Sequence, residues 1–374
     1  MADAGKTTLV LASLTGKDAH TVALPGRCVE TGLRWANAGY GSGVWPWQGY
    51  ELAVMTHCAN GAGPMHSVIW LLDTDKRHAN TSPRKIADLA GYAHCMQWTA
   101  QDKGVAFLYV PGALRAPDAP TSGNCESQGL NALSPHGDTV QRVGMITVVD
   151  HRKLEMITPA GMNVYEFAWV SFGQQALLYV ASPTGGTRWS ARLYRKWGNA
   201  TPGQWVVVDP ATAPALRGRH IAMPSWDIFH PMVYFLGIKN DKNATSGNWY
   251  RVSSGGKALV NLTPGSGPKP SWVDPSGGLG TRRVDGKVEL LRLPRALSSP
   301  YGPAGTTRIL FSVPGTISDG RAPLAMSIAL DGMAFVQSSP DSAPEVHAKR
   351  GGNLEVPPTV TFINVGVKAE PDAQ

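Results

Sequence analysis

Residues 167–180 read FAWVSFGQQALLYV: a short apolar segment ends at Trp169, a linking stretch follows, and a second apolar segment runs from Ala176 to Val180. The same order recurs at other points along the chain, at Trp35, Trp98, Trp226, Trp272 and, without a Trp, at Met326-Ser327-Ile328-Ala329. Recurring pairs of short strands, spaced by roughly one four-stranded unit, are typical of radial β architectures. The pattern predicts an all-β fold, a β-propeller of four-stranded antiparallel blades, with about seven blades in a range of about six to eight.

The composition agrees with a turn-rich β fold. The chain has 374 residues, of which 42 are Gly, 29 are Pro and 12 are Trp, and its hydrophobic share of 43% excludes a disordered chain. We expect a single propeller domain over residues 1–368, with an insertion loop at 111–141 and a frayed tail at 369–374.

Further apolar segments are interpreted as the third strands of successive blades, because each closes with turn-forming residues. These segments are 68–72, 145–149, 192–194, 205–208 and 249–252. The stretch from Trp272 to Leu310 is too irregular to be divided into strands from the sequence.

Charge and targeting signals limit the partners and the compartment. The net charge is +7, but the basic residues are scattered and form no stripe, so no nucleic-acid partner is expected. The apolar stretch 8–12 is too short for a signal peptide core or a membrane span, which predicts no membrane association. The sequence as written predicts a cytoplasmic protein, or a periplasmic one if the true N-terminus is missing.

The four cysteines, Cys28, Cys58, Cys95 and Cys125, lie in the first third of the chain. Four cysteines in so long a chain are not expected to form a disulfide framework, and the redox compartment stays open. The pairs His57-Cys58 and His94-Cys95 could supply a zinc site. Adjacent strand residues point to opposite faces, however, so we predict no metal and no cofactor.

Several phrases resemble the N-terminal propeller of the S9 prolyl oligopeptidase superfamily, in particular its acylaminoacyl-peptidase-like and dipeptidyl-peptidase-like members, and also TolB-like propellers. The phrases are residues 22–27, 67–74, 91–98, 164–169, 261–272, 344–346 and 361–364. The family usually places Trp-Ser-Pro-Asp-Gly at its blade turns. Here only Leu330-Asp331-Gly332 keeps the Asp-Gly pair, so the other hairpins are expected to be looser by about 1 kcal/mol each.

The resemblance implies a peptidase family, yet the chain lacks the catalytic signature. No serine has Gly two residues before and two residues after it, as a Gly-x-Ser-x-Gly nucleophile elbow requires. The resemblance places the hydrolase domain beyond Asn364, near the end of this sequence. We therefore predict no catalytic residues, and no peptide hydrolysis by this polypeptide alone.

The resemblance also indicates candidate substrate-binding residues, Tyr165, Glu166, Arg188 and Trp189. A carboxylate at Glu166 could pair with the free amino group of a peptide, while the alternative is a hydrogen bond between blades. The leading hypothesis is a non-catalytic propeller that gates access to an S9-type hydrolase, with a peptide or a hydrolase domain as partner. The alternatives are a stand-alone TolB-like interaction propeller and an enzyme with its active site in the propeller channel.

Overall fold

The structure is a computed structural model. It describes residues 8–11, 20–24, 28–35, 51–59, 65–73, 82–99, 104–111, 140–148, 153–169, 176–197, 204–226, 231–240, 247–264, 269–270, 272–274, 279–285, 287–292, 308–314, 325–326, 332–337 and 359–364. Within these ranges the secondary structure is β-strand with two short 3-10 turns, Arg188–Ser190 and Pro214–Leu216, and there is no α-helix. No helix of the described part is long and apolar enough to cross a membrane.

The chain divides into two compact units, residues 1–243 with 252–259 and residues 244–251 with 260–374. The strands up to the boundary are β1 Thr8–Leu11, β2 His20–Ala23, β3 Cys28–Trp35, β4 Glu51–Ala59, β5 Met65–Asp73, β6 Arg84–Leu89, β7 Gly91–Trp98, β8 Gly104–Pro111, β9 Arg142–Thr147, β10 Leu154–Met156, β11 Met162–Trp169, β12 Ala176–Pro183, β13 Arg192–Trp197, β14 Gln204–Val208, β15 Arg219–Trp226 and β16 Met232–Lys239. The single domain predicted over residues 1–368 stays a prediction.

The remaining strands are β17 Gly247–Ser253, β18 Val260–Asn261, β19 Trp272–Asp274, β20 Leu279–Val284, β21 Lys287–Arg292, β22 Arg308–Pro314, β23 Ala325–Met326, β24 Gly332–Gln337 and β25 Thr359–Asn364. The boundary between the two units falls within β17.

The strands form sheets in which neighbours in the chain are neighbours in space. Sheet I contains β3 to β6, sheet II β7 to β10, sheet III β11 to β14, sheet IV β15 to β18 and sheet V β19 to β22, each with four strands in chain order. A three-stranded sheet holds β23 to β25, and β1 pairs with β2. The register is antiparallel, as in the hairpins β3–β4, β7–β8, β11–β12 and β20–β21. Four-stranded antiparallel sheets of this kind are the predicted blade unit.

The Trp residues that suggested the fold occupy equivalent places in four sheets. Trp35, Trp98, Trp169 and Trp226 each end the first strand of their sheet, as predicted. Trp272 instead begins β19. The segment 205–208 was expected to be a third strand, but it lies in β14, the fourth strand of sheet III, because the third position is taken by β13.

The stretch from Trp272 to Leu310 could not be divided into strands from the sequence. Its described strands belong to sheet V. Val284 pairs with Lys287 across the β20–β21 hairpin, so the link is the Asp285-Gly286 dipeptide, and Asp285 has φ of 50°. Asp-Gly is the dipeptide that two-residue hairpins with positive φ favour. The first hairpin of sheet II is closed differently, since the Thr99 hydroxyl accepts a hydrogen bond from the Gly104 N–H at 2.9 Å. Residues 112–139 of the insertion predicted at 111–141, the tail 369–374 and the Asp331 turn lie outside the described residues.

Among the described residues of the first unit, apolar side chains form layers between neighbouring sheets. Layer A lies between sheets I and II and includes Met55, Ile69, Leu71, Met96, Phe107 and Tyr109. Layer B lies between sheets II and III and includes Cys95, Leu108, Val164, Phe167, Leu177 and Tyr179. Layer C lies between β2 and sheet I and includes Val22, Leu24, Leu52, Val54, Cys58 and Trp70. Each sheet with a layer on both faces is buried on both sides, which explains the continuous apolar sequence of β8.

Candidate functional site

The structure brings Glu166 and Arg188 together in sheet III. Glu166 lies on β11 with 7% of its surface exposed, and Arg188 begins the 3-10 turn between β12 and β13. The Arg188 Nη2 group forms a salt bridge with Glu166 Oε1. Trp189 follows in the same turn and is 44% exposed. The four residues that the sequence singled out therefore lie in one sheet and its adjoining turn, and the proposed role of these residues in substrate binding stays a prediction.

Tyr165 contacts the segment that leads into the Arg188–Ser190 turn. Its ring is buried, and its phenol oxygen lies 3.0 Å from Ser182 Oγ and donates to the Gly186 carbonyl oxygen at 3.2 Å. The register of β11 against β12 shifts between Val164 and Glu166, so Tyr165 has no register partner on β12. The bulge thus lets two consecutive side chains, Tyr165 and Glu166, both reach toward the 183–190 segment.

The second carboxylate oxygen of Glu166 contacts the next sheet. Glu166 Oε2 accepts a hydrogen bond from the backbone N–H of Met223, in β15. Met223 has φ of 51°, a left-handed conformation that costs a residue with a side chain about 1 to 2 kcal/mol. Glu166 therefore fixes both Arg188 and the strained backbone of β15. A carboxylate has about four lone-pair sites, so it can accept further donors in addition to these two.

Similar polar contacts connect the other sheets of the first unit. Ser67 of sheet I accepts from the Ala93 N–H at 2.8 Å and donates to the Gly91 carbonyl at 3.0 Å. Gln97 of sheet II accepts from the Trp169 N–H at 3.0 Å and donates to the Phe167 carbonyl at 3.1 Å. Glu166 thus belongs to a series, with Ser67 and Gln97, that joins sheets I, II and III to the first strand of the next sheet. The sequence could not identify this series, because the partners are main-chain groups.

Arg188 retains unused hydrogen-bonding capacity beside Trp189. Its Nε atom is buried and has no hydrogen-bond partner among the described residues. A buried donor without an acceptor costs about 1 to 3 kcal/mol. The Glu166–Arg188 pair next to an exposed indole can offer a carboxylate and a flat apolar surface to a ligand.

A second polar cluster lies between sheets I and II. The His57 ring is 4.5 Å from the Tyr92 ring, which is 5.1 Å from the His94 ring. His94 Nε2 lies 2.9 Å from Gln141 Oε1, and His57 Nε2 lies 3.0 Å from the Ala93 carbonyl oxygen. Burial lowers the pKa of His94 to about 4 and also lowers the pKa of His57. Both imidazoles are therefore neutral at pH 7, as buried core histidines are.

The cysteines beside these histidines are not thiolates. Cys58 and Cys95 are both disulfide-bonded, which bears on the redox compartment that the sequence left open. The zinc alternative needed two thiolates from these residues. Among the described residues, no group of three or more His, Cys, Asp and Glu side chains is placed to hold a metal ion.

Comparison with known proteins supports the fold. No family model matches the chain, and no curated protein does. Solved structures match over most of the chain, including an oligogalacturonate lyase in complex with manganese, with 12% identity, 90% of this chain, 80% of that chain and a TM-score of 0.53. The hydrazine synthase of Kuenenia stuttgartiensis matches with 11% identity, 96% of this chain, 90% of that chain and a TM-score of 0.52.

Prolyl oligopeptidase B from Galerina marginata matches with 12% identity and a TM-score of 0.50, over 83% of this chain and 38% of that chain. This chain has the β-propeller fold. The predicted fold class is confirmed, and so is the resemblance to S9 peptidase propellers at the level of the fold, whereas the number of blades stays a prediction. The chain spans less than half the length of that peptidase.

Proposed function

We propose that this propeller is a non-catalytic module that binds unfolded peptide and restricts its access to a hydrolase of the S9 serine peptidase type. One observation carries the proposal: the chain shares its fold with 38% of a prolyl oligopeptidase, while its sequence contains no Gly-x-Ser-x-Gly elbow. A propeller without a nucleophile can contribute to peptide hydrolysis through binding and exclusion.

The peptide contacts are assigned to Glu166, Arg188 and Trp189. Glu166 has acceptor capacity for the ammonium group of a peptide, and Arg188 holds the Glu166 carboxylate in place through their salt bridge. Trp189 supplies an exposed indole for an apolar side chain. The Arg188 charge already compensates that of Glu166, so the ammonium group is expected to add only modestly to affinity.

Fluorescence anisotropy with a labelled unstructured peptide that has a free N-terminus tests this assignment. Trp189→Ala should weaken binding by about tenfold, because a buried Trp contact contributes on the order of 1 to 2 kcal/mol. The matched control is Trp205→Ala, since Trp205 is also an exposed Trp of the first unit, 60% exposed on β14. N-acetylation of the peptide should weaken binding less than Trp189→Ala does.

Two results would overturn the proposal. Hydrolysis of a fluorogenic dipeptide amide by the purified chain would refute the non-catalytic role. Equal losses for Trp189→Ala and Trp205→Ala, or no measurable binding by the unmodified chain, would refute the peptide site.

The second candidate is a stand-alone TolB-like propeller that binds another protein. The observation that favours it is the exposure of two consecutive apolar residues, Trp205 and Val206, on β14, the outer strand of sheet III. Edge strands with exposed apolar residues pair readily with other chains. In that case Trp205→Ser should abolish a complex that Trp189→Ala leaves intact, as measured by size-exclusion chromatography with light scattering.

A further inference from the structure

The faces of the sheets on which Cys58 and Cys95 lie limit their disulfide partners. Cys58 packs in layer C, on the face of sheet I that is turned toward Val22 and Leu24. Its neighbour His57 points to the opposite face, where its ring lies 4.5 Å from the Tyr92 ring of sheet II. The side chain of Cys58 is thus directed away from sheet II, as the alternation of side chains along a strand requires.

Cys95 lies on the far side of sheet II. It packs in layer B with Leu108 and Val164, while Met96 packs in layer A. The left-handed conformation of Cys95, with φ of 62°, occurs where the β7–β8 register shifts between His94 and Gln97. Packed sheets are about 10 Å apart, and layer A lies between the two sulfur atoms. A disulfide needs Cα atoms within about 7 Å, so Cys58 and Cys95 are not bonded to each other.

The backbone register supplies the partner of Cys58. Cys28 on β3 is the residue directly opposite Cys58 on β4. Directly opposed residues of antiparallel strands have Cα atoms about 4.5 to 5.5 Å apart, which is within the range that a disulfide spans. We infer that Cys28 is bonded to Cys58 and Cys95 to Cys125, the one cysteine of the sequence that is then left.

The chemistry of these bonds limits where the protein matures. Each bond forms when two thiols lose two protons and two electrons to a disulfide oxidant, which is itself reduced to two thiols. Cytosolic glutathione and thioredoxin systems keep thiols reduced, whereas the periplasm and extracellular space allow such bonds to persist. Two bonds that use every cysteine of the chain therefore indicate maturation in an oxidising compartment, in contrast to the cytoplasmic location that the sequence as written predicts.

The first bond has a clear structural position. Cys28 begins β3 and Cys58 is next to the last residue of β4, so the bond joins the hairpin at the end opposite its chain link. It holds together the two strands whose pairing brings Trp35 opposite Leu52. The inference is independent of the proposed peptide-binding role.

Peptide mapping of the full chain tests the inference. The chain is produced in an oxidising compartment, alkylated in denaturant without reductant, digested and analysed by mass spectrometry. We expect one cross-linked peptide containing Cys28 and Cys58, a second containing Cys95 and Cys125, and no alkylated cysteine. Because the unmodified chain is mapped, the result does not depend on whether a variant folds.

Single variants provide the second measurement. Cys28→Ser and Cys58→Ser should each expose one reactive thiol in denaturant and leave the Cys95–Cys125 peptide unchanged, and Cys95→Ser should leave the Cys28–Cys58 peptide unchanged. A cross-link between Cys58 and Cys125 or between Cys58 and Cys95, or four alkylated cysteines in the oxidised chain, would overturn the assignment.

Discussion

The buried imidazole of His94 makes the stability of the first unit depend on pH. His94 is 2% exposed, its Nε2 atom is bonded to Gln141, and burial lowers its pKa from 6.5 to about 4. The unfolded chain therefore binds a proton at His94 between about pH 6.5 and pH 4, while the folded chain does not. The contribution is complete above about pH 6.5 and is lost as the pH falls toward 4, with no further loss below that.

The magnitude follows from the size of the shift. One pKa unit corresponds to about 1.4 kcal/mol, so a shift from 6.5 to about 4 contributes about 3 kcal/mol. The perturbation is His94→Gln, which removes the titration and keeps an N–H donor toward Gln141. Between about pH 7.5 and pH 4, the free energy of unfolding of the unmodified chain should decrease by about 3 kcal/mol more than that of the variant.

The assay is urea unfolding of both proteins across this pH range, followed by circular dichroism. The difference between the two curves cancels the carboxylates, since both proteins contain these groups. Two parallel curves would refute the reasoning, because they would mean that His94 is protonated to the same extent in the folded and unfolded chains.

Other substitutions test the contacts between the sheets, each by urea unfolding. Gly256→Ala should lower the free energy of unfolding by about 2 to 4 kcal/mol, because Gly256 has φ of 79° and a Cβ there would lie 2.7 Å from a β14 carbonyl oxygen. The control Gly255→Ala, whose Cβ would meet nothing within 4 Å, should change it by less than about 1 kcal/mol. Equal effects of the two substitutions would contradict the contact. Glu166→Ala should lower the free energy of unfolding by about 2 to 4 kcal/mol, since it leaves the half-buried Arg188 guanidinium and the Met223 N–H without an acceptor. Glu166→Gln should lower it by less. A Glu166→Ala variant as stable as the unmodified chain would show that the pair is not formed. Phe107→Ala should cost about 3 to 5 kcal/mol because Phe107 is fully buried in layer A, and Trp205→Ala, at an exposed site, should stay within about 0.5 kcal/mol; a smaller loss at Phe107 than at Trp205 would contradict the packing.

The strands and their fold class were predictable because they depend on local patterns. Short apolar segments that end at Trp98 and Trp169 are visible in the sequence, and these residues do end β7 and β11. The Asp285-Gly286 turn was also readable, since it is a known hairpin dipeptide, and it would have revealed sheet V. Assigning Trp205 to a third strand failed because strand order within a sheet depends on which hairpins pair, which periodicity does not encode.

Only some contacts of the candidate site could be predicted from the sequence. Glu166 and Arg188 were identified, and they do form a pair. The contact with Met223 was not foreseeable, because a backbone N–H has no sequence signature. The left-handed conformations of Cys95 and Met223 were equally hidden, since positive φ is normally signalled by Gly, Asn or Asp, and here tertiary contacts impose it.

The strand β8 is shared between two core layers. Val105, Phe107 and Tyr109 point into layer A, whereas Ala106 and Leu108 point into layer B. Separating β8 from its neighbours would therefore expose both layers to water at once. Amide hydrogens of β8 should consequently exchange with solvent through cooperative unfolding of sheets I, II and III together, which makes this strand the element that couples three sheets into one folding unit.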